Sequence, residues 1–300
     1  MNILVTGSRG LIGRALVPFL TAGGHRVIRL VRSKASSDAG DVVWDPAAGM
    51  IDRAALAGLE AVVHLAGENI FGRWTARKKA QIRDSRVHAT RLLSEALAQL
   101  SRPPRVFVCA SAAGFYGDRG SEILREESAS GSSFLAEVCR EWEAATHAAA
   151  NAGIRVVNLR TGIVLAAAGG ALATMLLPFR LGLGGRIGSG RQFLSWITLD
   201  DLLEVILHAL QTEGLRGPVN AVAPNPVTNL EFARTLGRVL LRPTLFPVPA
   251  FAARLVLGEM ADELLLASAR LEPARLRAAG FRFRFPELEG ALRHLLGKTL

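Results

Sequence analysis

Three groups of residues in this chain are of types and spacings that do chemistry. The first is Gly7-Ser8-Arg9-Gly10-Leu11-Ile12-Gly13, which follows the uncharged run Ile3-Leu4-Val5-Thr6. A buried strand that ends in a glycine-rich turn and opens a helix surrounds a pyrophosphate with backbone N–H groups and the positive end of the helix dipole. Glycine is needed where a Cβ would strike the ligand. The spacing here is G-x-x-G-x-x-G rather than G-x-G-x-x-G. The second group is Val31-Arg32-Ser33-Lys34, with no carboxylate before Asp38. At the end of a second strand a carboxylate would read a ribose 2′-hydroxyl, whereas two cations and a hydroxyl suit a 2′-phosphate, which favours NADP over NAD. The third is the only tyrosine, Tyr116, five residues after Ser111 in Ser111-Ala112-Ala113-Gly114-Phe115-Tyr116-Gly117. If a proton is moved, Tyr116, Ser111 or Glu68 must move it, and none has an activating partner visible in the sequence.

The elements that must position these groups alternate. Arg26 to Val31 follows the glycine turn after a helix-length interval, as the second strand of a β-α-β unit should. Pro18 falls inside that first helix and is expected to bend it or break its hydrogen-bond ladder. Glu60 to Gly67 reads as a fourth strand closing on a small residue, where backbone can lie against adenine or ribose; His64 within it reads as a core residue. A helix starting near Thr75 carries Ile82, Arg86, Ala89, Leu93, Ala96 and Leu100 on one stripe, so Arg86 is a cation on an apolar face. It needs a phosphate or a buried carboxylate as partner. Arg105 to Ser111 is the next strand, and Arg155 to Leu159 another. Phe281-Arg282-Phe283-Arg284-Phe285-Pro286 alternates like a half-buried strand, and Pro286 to Leu296 carries a helical core stripe.

Composition sets the limits. Three hundred residues, half hydrophobic, can bury one large core or a core plus a smaller lobe. Cys109 and Cys139 form neither a disulfide framework nor a metal cluster, so a reducing compartment and no metal are expected. With a strand starting at Asn2 there is no room for a signal peptide, and a cytoplasmic location is expected. Gly162 to Phe179 is uncharged, but Gly169-Gly170 and Pro178 interrupt it, so no membrane span and no membrane partner are expected. The net charge of +10 is spread over both halves and lacks interleaved aromatics, which argues against nucleic acid. Arg73 to Arg91 holds seven cations and one acid, and Arg155, Arg160, Arg180, Arg186 and Arg191 lie in a stretch without acids; both suggest a cleft for a compact anion.

Taken together, Thr6-Gly7-x-x-Gly10-x-x-Gly13, His64-Leu65-Ala66-Gly67 and Tyr116-Gly117 after a strand-end serine resemble an extended short-chain dehydrogenase/reductase. Leu65-Ala66-Gly67-Glu68-Asn69-Ile70, Ser85-Arg86, Arg160-Thr161-Gly162-Ile163-Val164-Leu165, Leu177-Pro178-Phe179-Arg180-Leu181-Gly182-Leu183-Gly184-Gly185 and Ser195-Trp196-Ile197 are similar to an atypical subfamily. Its members are called nucleoside-diphosphate-sugar epimerase-like or epimerase family proteins, and some cell division inhibitors. The resemblance spans the chain. It implies a doubly wound parallel Rossmann sheet over residues 1–164, rejoined by 190–222, with 165–189 and 223–300 forming a small C-terminal substrate lobe.

It further implies that residues 7–13, Arg32, Leu65, Ala66, Gln81, Arg86 and Val164 contact NADP. With the strand-end readings, the expected cofactor contacts are Gly7, Ser8, Arg9, Gly10, Leu11, Ile12, Gly13, Arg32, Leu65, Ala66, Gly67, Glu68, Gln81, Arg86, Ser111 and Val164, and the candidate catalytic residues are Tyr116 and Ser111. The family's tyrosine with a lysine four residues later is missing. Gly120 follows Tyr116 by four, and the aligned positions hold Phe134 and Val138. Thr198 stands where relatives carry histidine. The expected function is an NADP-binding oxidoreductase or epimerase-like protein for a small phosphorylated or nucleotide-linked anion; the alternative is an NADP(H)-sensing binding protein without efficient catalysis.

Overall fold

A computed structural model describes residues 1–32 and 40–298. In chain order the elements begin β1 (Asn2–Thr6), α1 (Leu11–Ala22), β2 (Arg26–Val31), β3 (Val42–Asp45), β4 (Met50–Ile51), β5 (Ala61–His64), α2 (Ala76–Ala98) and β6 (Val106–Ala112). Then come β7 (Ile123–Leu124), α3 (Phe134–Ala144), α4 (His147–Asn151), β8 (Arg155–Thr161), β9 (Ile163–Leu165), α5 (Gly170–Arg180), β10 (Phe193–Leu194), β11 (Trp196–Thr198), α6 (Leu199–Gln211) and β12 (Gly217–Ala221). The chain closes with β13 (Val227–Thr228), α7 (Asn229–Leu240), α8 (Ala250–Leu257), a π-helical segment Ala261–Leu266, β14 (Arg270–Leu271), α9 (Ala274–Ala278) and α10 (Leu288–Leu295).

Eight strands form one sheet in the order β12-β8-β6-β5-β1-β2-β3-β4, parallel except for the β3–β4 hairpin. The order reverses between β1 and β5: β2 and β3 build outward on one side, β5, β6, β8 and β12 on the other. A crevice at the carboxyl ends of strands opens at such a switch point. The central strands read as unbroken apolar runs because both faces are covered. Alternation then sorts them. Ile3 and Val5 pack with Leu16 and Leu20 of α1 and Val205 and Ile206 of α6, while Leu4, Val62 and Phe107 pack with Leu93 and Leu97 of α2 and Trp142 of α3. Each such leucine, fully buried, contributes about 1.5–3 kcal/mol.

A third apolar cluster joins Leu172, Leu176 and Phe179 of α5 to Phe232 and Leu236 of α7 and Leu292 of α10, with Trp196 of β11 among them. Its members come from residues 163–196, 223–240 and 285–296.

Several expectations are corrected here. Helix α1 runs through Pro18 without interruption: the residue is exposed, late in the helix, where losing one ladder bond is tolerated. The strand expected over 60–67 is Ala61–His64 and is fifth in the chain, because a hairpin precedes it. Residues 281–286 form no strand. Their phenylalanines do point inward, but the backbone N–H groups of Arg284 and Phe285 donate to the two carboxylate oxygens of buried Asp201 (2.8 and 3.0 Å) instead of to a neighbouring strand.

Candidate functional site

The crevice is built from the ends of β1 and β5. Gly7 has φ +66°, and a Cβ on it would sit 2.6 Å from the Leu65 carbonyl carbon; a Cβ on Gly13 would collide with the Gly7 carbonyl. Glycine at both places lets the turn press against Leu65-Ala66 and against α1. Thr6 fixes that approach. Its Oγ1 accepts from the backbone N–H of Leu65 and of Ala66 (both 3.1 Å) and gives its own proton to His64 Nδ1 (2.7 Å). The imidazole therefore carries its proton on Nε2, which is buried and has no hydrogen-bond partner. Complete burial pulls the His64 pKa down to about 3, so the ring is neutral.

Helix α1 opens at Gly10, with no side-chain cap and no acid in its first turn. Its first N–H groups face the crevice with the dipole behind them, the geometry that takes an anion. Arg86 stands on the other side of Leu65-Ala66: a Cβ on Gly67 would lie 3.3 Å from its guanidinium carbon. The side chain donates to the carbonyls of Ile82 and Glu68 (both 3.0 Å), and its guanidinium carbon lies 5.1 Å from the Trp142 ring centroid. Among the described residues no carboxylate is hydrogen-bonded to it; desolvation by burial lowers its pKa, with Cys139 and the Glu68 carboxylate opposing through space. The cation expected on the inward face of α2 is thus held in place by carbonyls and an aromatic ring, with its charge uncompensated at contact distance. The glycine turn, the open helix end and Arg86 together fit a pyrophosphate or a like anion.

The remaining expected contacts are dispersed. Val164 lies on β9, partly buried against the core cluster that also takes Ile12, and Gly169 and Gly170 abut the Leu11 side chain. Ser8 is buried, Arg9 and Gln81 are exposed, and Arg32 is exposed at the end of β2. Ser33 and Lys34 lie outside the described residues. Glu68 is ion-paired with Lys78 (2.6 Å) and its backbone N–H donates to Ser85 Oγ (2.9 Å).

The residues picked for proton transfer are engaged in a buried network. Tyr116 is fully buried. Its hydroxyl shares a proton between Asn220 Oδ1 (2.7 Å) and the Arg125 carbonyl (3.0 Å) and accepts from Arg160 Nη1 (2.9 Å). Burial raises its pKa above the usual phenol range, with Arg160 and Asn220 opposing. Ser111, 4% exposed, donates to Glu143 Oε1 (2.7 Å), and Glu143 forms a two-pronged ion pair with Arg160 (2.8 Å each). Four elements, β6, α3, β8 and β12, are tied by this network. It absorbs Arg160, and Arg155 likewise donates to the carbonyls of Ala209 and Leu210 at the end of α6 and to that of Leu215 beyond it. Neither arginine is free for a substrate, which corrects the anion cleft expected from them. Much of the basic stretch 73–91 is also paired: Lys78 with Glu68, Lys79 with Glu259 and Arg83 with Glu141.

At the position of the missing dyad, Phe134 meets Trp74 edge-on (5.4 Å between centroids) beneath Lys79, and Val138 is 2% exposed. The start of α3 is held by Glu263, whose carboxylate accepts from Ser133 Oγ (2.7 Å) and from the N–H of Phe134 (2.9 Å) and Leu135 (3.2 Å). Thr198 caps α6 by accepting from Asp201 N (3.1 Å). Glu143, Glu263 and the Thr6–His64 pair were not evident from sequence, because their partners are remote in the chain. The one available signal was Arg160, a cation inside an apolar strand, which demands a carboxylate. Among the described residues no group of three or more potential metal ligands occurs, and no helix is long and apolar enough to cross a membrane.

A doubly wound parallel sheet with a glycine turn after β1, a second turn after β5 and a helical lobe beyond β8 defines a Rossmann-type protein of the short-chain dehydrogenase/reductase class. The comparisons agree. The NAD dependent epimerase/dehydratase family matches residues 3–221, and a domain of unknown function matches 248–295. An epimerase family protein of Mycobacterium leprae is 42% identical over 291 residues, covering 97% of this chain and 94% of the relative. The human epimerase family protein SDR39U1 is 37% identical over 300 residues, covering 99% and 100%. A crystal structure of that human protein with NADPH superposes with a TM-score of 0.91 at 36% identity, covering all of both chains. A nucleoside-diphosphate sugar epimerase from Corynebacterium glutamicum gives 0.83 at 41% identity over 99% of this chain and 58% of its own. The chain belongs to the NAD dependent epimerase/dehydratase family, among its epimerase family proteins.

Proposed function

We propose that this chain binds NADP(H) across the switch point, with the pyrophosphate on the Gly7–Gly13 turn and α1, Leu65-Ala66 against the adenosine and Arg32 at the 2′-phosphate. The observation that carries the proposal is Arg86: a largely desolvated guanidinium beside the glycine turn, oriented by carbonyls and Trp142, with no carboxylate bonded to it. A buried cation met only through space by a Glu68 carboxylate already paired with Lys78 gains stability when an anion arrives. The human relative solved with NADPH supports the choice of nucleotide. When bound, the nicotinamide would supply hydride exchange with a small, phosphorylated or nucleotide-linked substrate, in the manner of an oxidoreductase or epimerase.

The second reading is an NADP(H)-sensing binding protein without efficient catalysis. What favours it is specific: Tyr116 and Ser111 spend their hydroxyl protons on Asn220 and Glu143, and Phe134 and Val138 replace the proton-handling pair. Calorimetry tests the binding proposal. NADPH should bind at least tenfold more tightly than NADH, about 1.4 kcal/mol, and Arg86→Ala should weaken both without lowering the melting temperature of the unliganded protein. Equal affinity for the two nucleotides removes the 2′-phosphate assignment; an equal melting loss with and without nucleotide makes Arg86 structural. Single-turnover NADPH oxidation with candidate sugar nucleotides separates the enzyme from the sensor.

A further inference from the structure

Thirteen large apolar side chains are exposed among the described residues, and ten of them fall in two stretches, 177–183 and 241–256. The stretches are neighbours. Arg242 Nε donates to the Arg180 carbonyl (2.9 Å), Phe246 N to the Gly184 carbonyl (3.3 Å) and Val248 N to the Arg186 carbonyl (2.8 Å), and the start of α8 lies against Gly188. One continuous face results. Leu177 and Leu181 stand at the end of α5, Leu245 and Phe246 on the connecting segment, and Phe251 and Leu255 one turn apart on α8, all 55–76% exposed. Helix α8 is inverted relative to an ordinary surface helix: it buries Ala253 and presents Phe251, Leu255 and Val256 to solvent. A large contiguous apolar face on a protein surface marks a contact with a partner or a membrane.

The charge around this face is mostly positive. Residues 144–199 and 232–258 contain no aspartate or glutamate, and Arg180, Arg242 and Arg254 rim the apolar side chains, the last paired with Asp262 (2.9 Å). A second copy seated here by a two-fold axis would bring Arg180 and Arg242 against a mostly cationic rim whose carboxylate, Asp262, is already paired with Arg254. Lipid phosphates meet them directly. We propose that this face rests on an anionic bilayer surface, with Phe251 and Leu255 entering the boundary between headgroups and acyl chains and Arg180 and Arg242 on the phosphates. The contact is in the plane of the bilayer, consistent with the lack of a membrane-crossing helix among the described residues.

Flotation of the full chain with phosphatidylcholine vesicles, with and without phosphatidylglycerol, tests this, and it does not depend on nucleotide binding. Binding is expected only to the phosphatidylglycerol vesicles and should weaken as salt rises. The double variant Phe251→Asp with Leu255→Asp should partition at least about tenfold less, at an unchanged melting temperature. Should that variant fold poorly, Arg180→Glu with Arg242→Glu serves, with a loss of roughly fivefold per exchanged residue. No binding by the folded wild type, equal binding to both vesicle types, or a concentration-dependent dimer abolished by the Phe251 and Leu255 substitutions would each overturn the proposal, the last by giving the face to a second copy.

Discussion

Tyr116 sits at the centre of a buried hydrogen-bond network. The phenol lies within hydrogen-bonding distance of three partners from three parts of the chain, two of them sharing its proton, and solvent does not reach it. Tyr116→Phe leaves Asn220 Oδ1 without that donor and should destabilise the fold by about 1–3 kcal/mol, while NADPH affinity stays unchanged; urea titration and calorimetry read the two effects. His64 carries a pH prediction. Its folded pKa, about 3, lies below the ordinary 6.5, so its contribution is fully present above pH 6.5 and is lost as pH falls toward 3. The slope is about 1.4 kcal/mol per pH unit across that window. Urea midpoints between pH 7 and 4 should fall less steeply in His64→Asn, whose amide keeps an acceptor for Thr6. An unchanged slope would show that the imidazole finds solvent when protonated.

At the scale of elements, β1, β2, β5, β6 and β8 were legible as apolar runs and the helix from Thr75 by its stripe and cap, with Thr75 accepting from Lys78 N as its position implies, whereas β3 and β12 were not. The segment 281–286 was misread because a period of two states only which side chains point inward, not where the backbone N–H groups go. Asp201 takes two of those groups, and no sequence pattern links a residue in α6 to one eighty positions later. Asp201→Ala should therefore release the segment. We expect the Arg284 and Phe285 amides to exchange with solvent far faster, and a loss of about 1.5–3 kcal/mol for each hydrogen bond to the charged group. Retained protection of both amides would mean that Phe281 and Phe283 alone anchor the segment. The candidate site was legible in the same uneven way. Its glycine turn and Arg86 are local signals, whereas the Ser111–Glu143–Arg160–Tyr116 network depends on four elements meeting.

At the scale of the molecule, the chain leaves the eight-stranded sheet after β8, pairs β9 with β11 in a separate two-stranded sheet on either side of α5, returns through α6 to β12, and leaves again at β13. The cluster beneath the lobe draws Leu165 and Trp196 from the first pass and the return, and Phe232, Leu236 and Leu292 from the second. Residues 248–295 match a separate family of their own, yet their closing helix α10 buries its leucines against α7, which lies before that boundary. A gene fragment ending at residue 221 would leave Leu172, Leu176 and Phe179 uncovered, and one starting at 248 would lack a floor. Shuffling by a single crossover between relatives should therefore yield insoluble products at either border, and a functional exchange of this lobe needs two cuts, one on each side of the returning strand and helix.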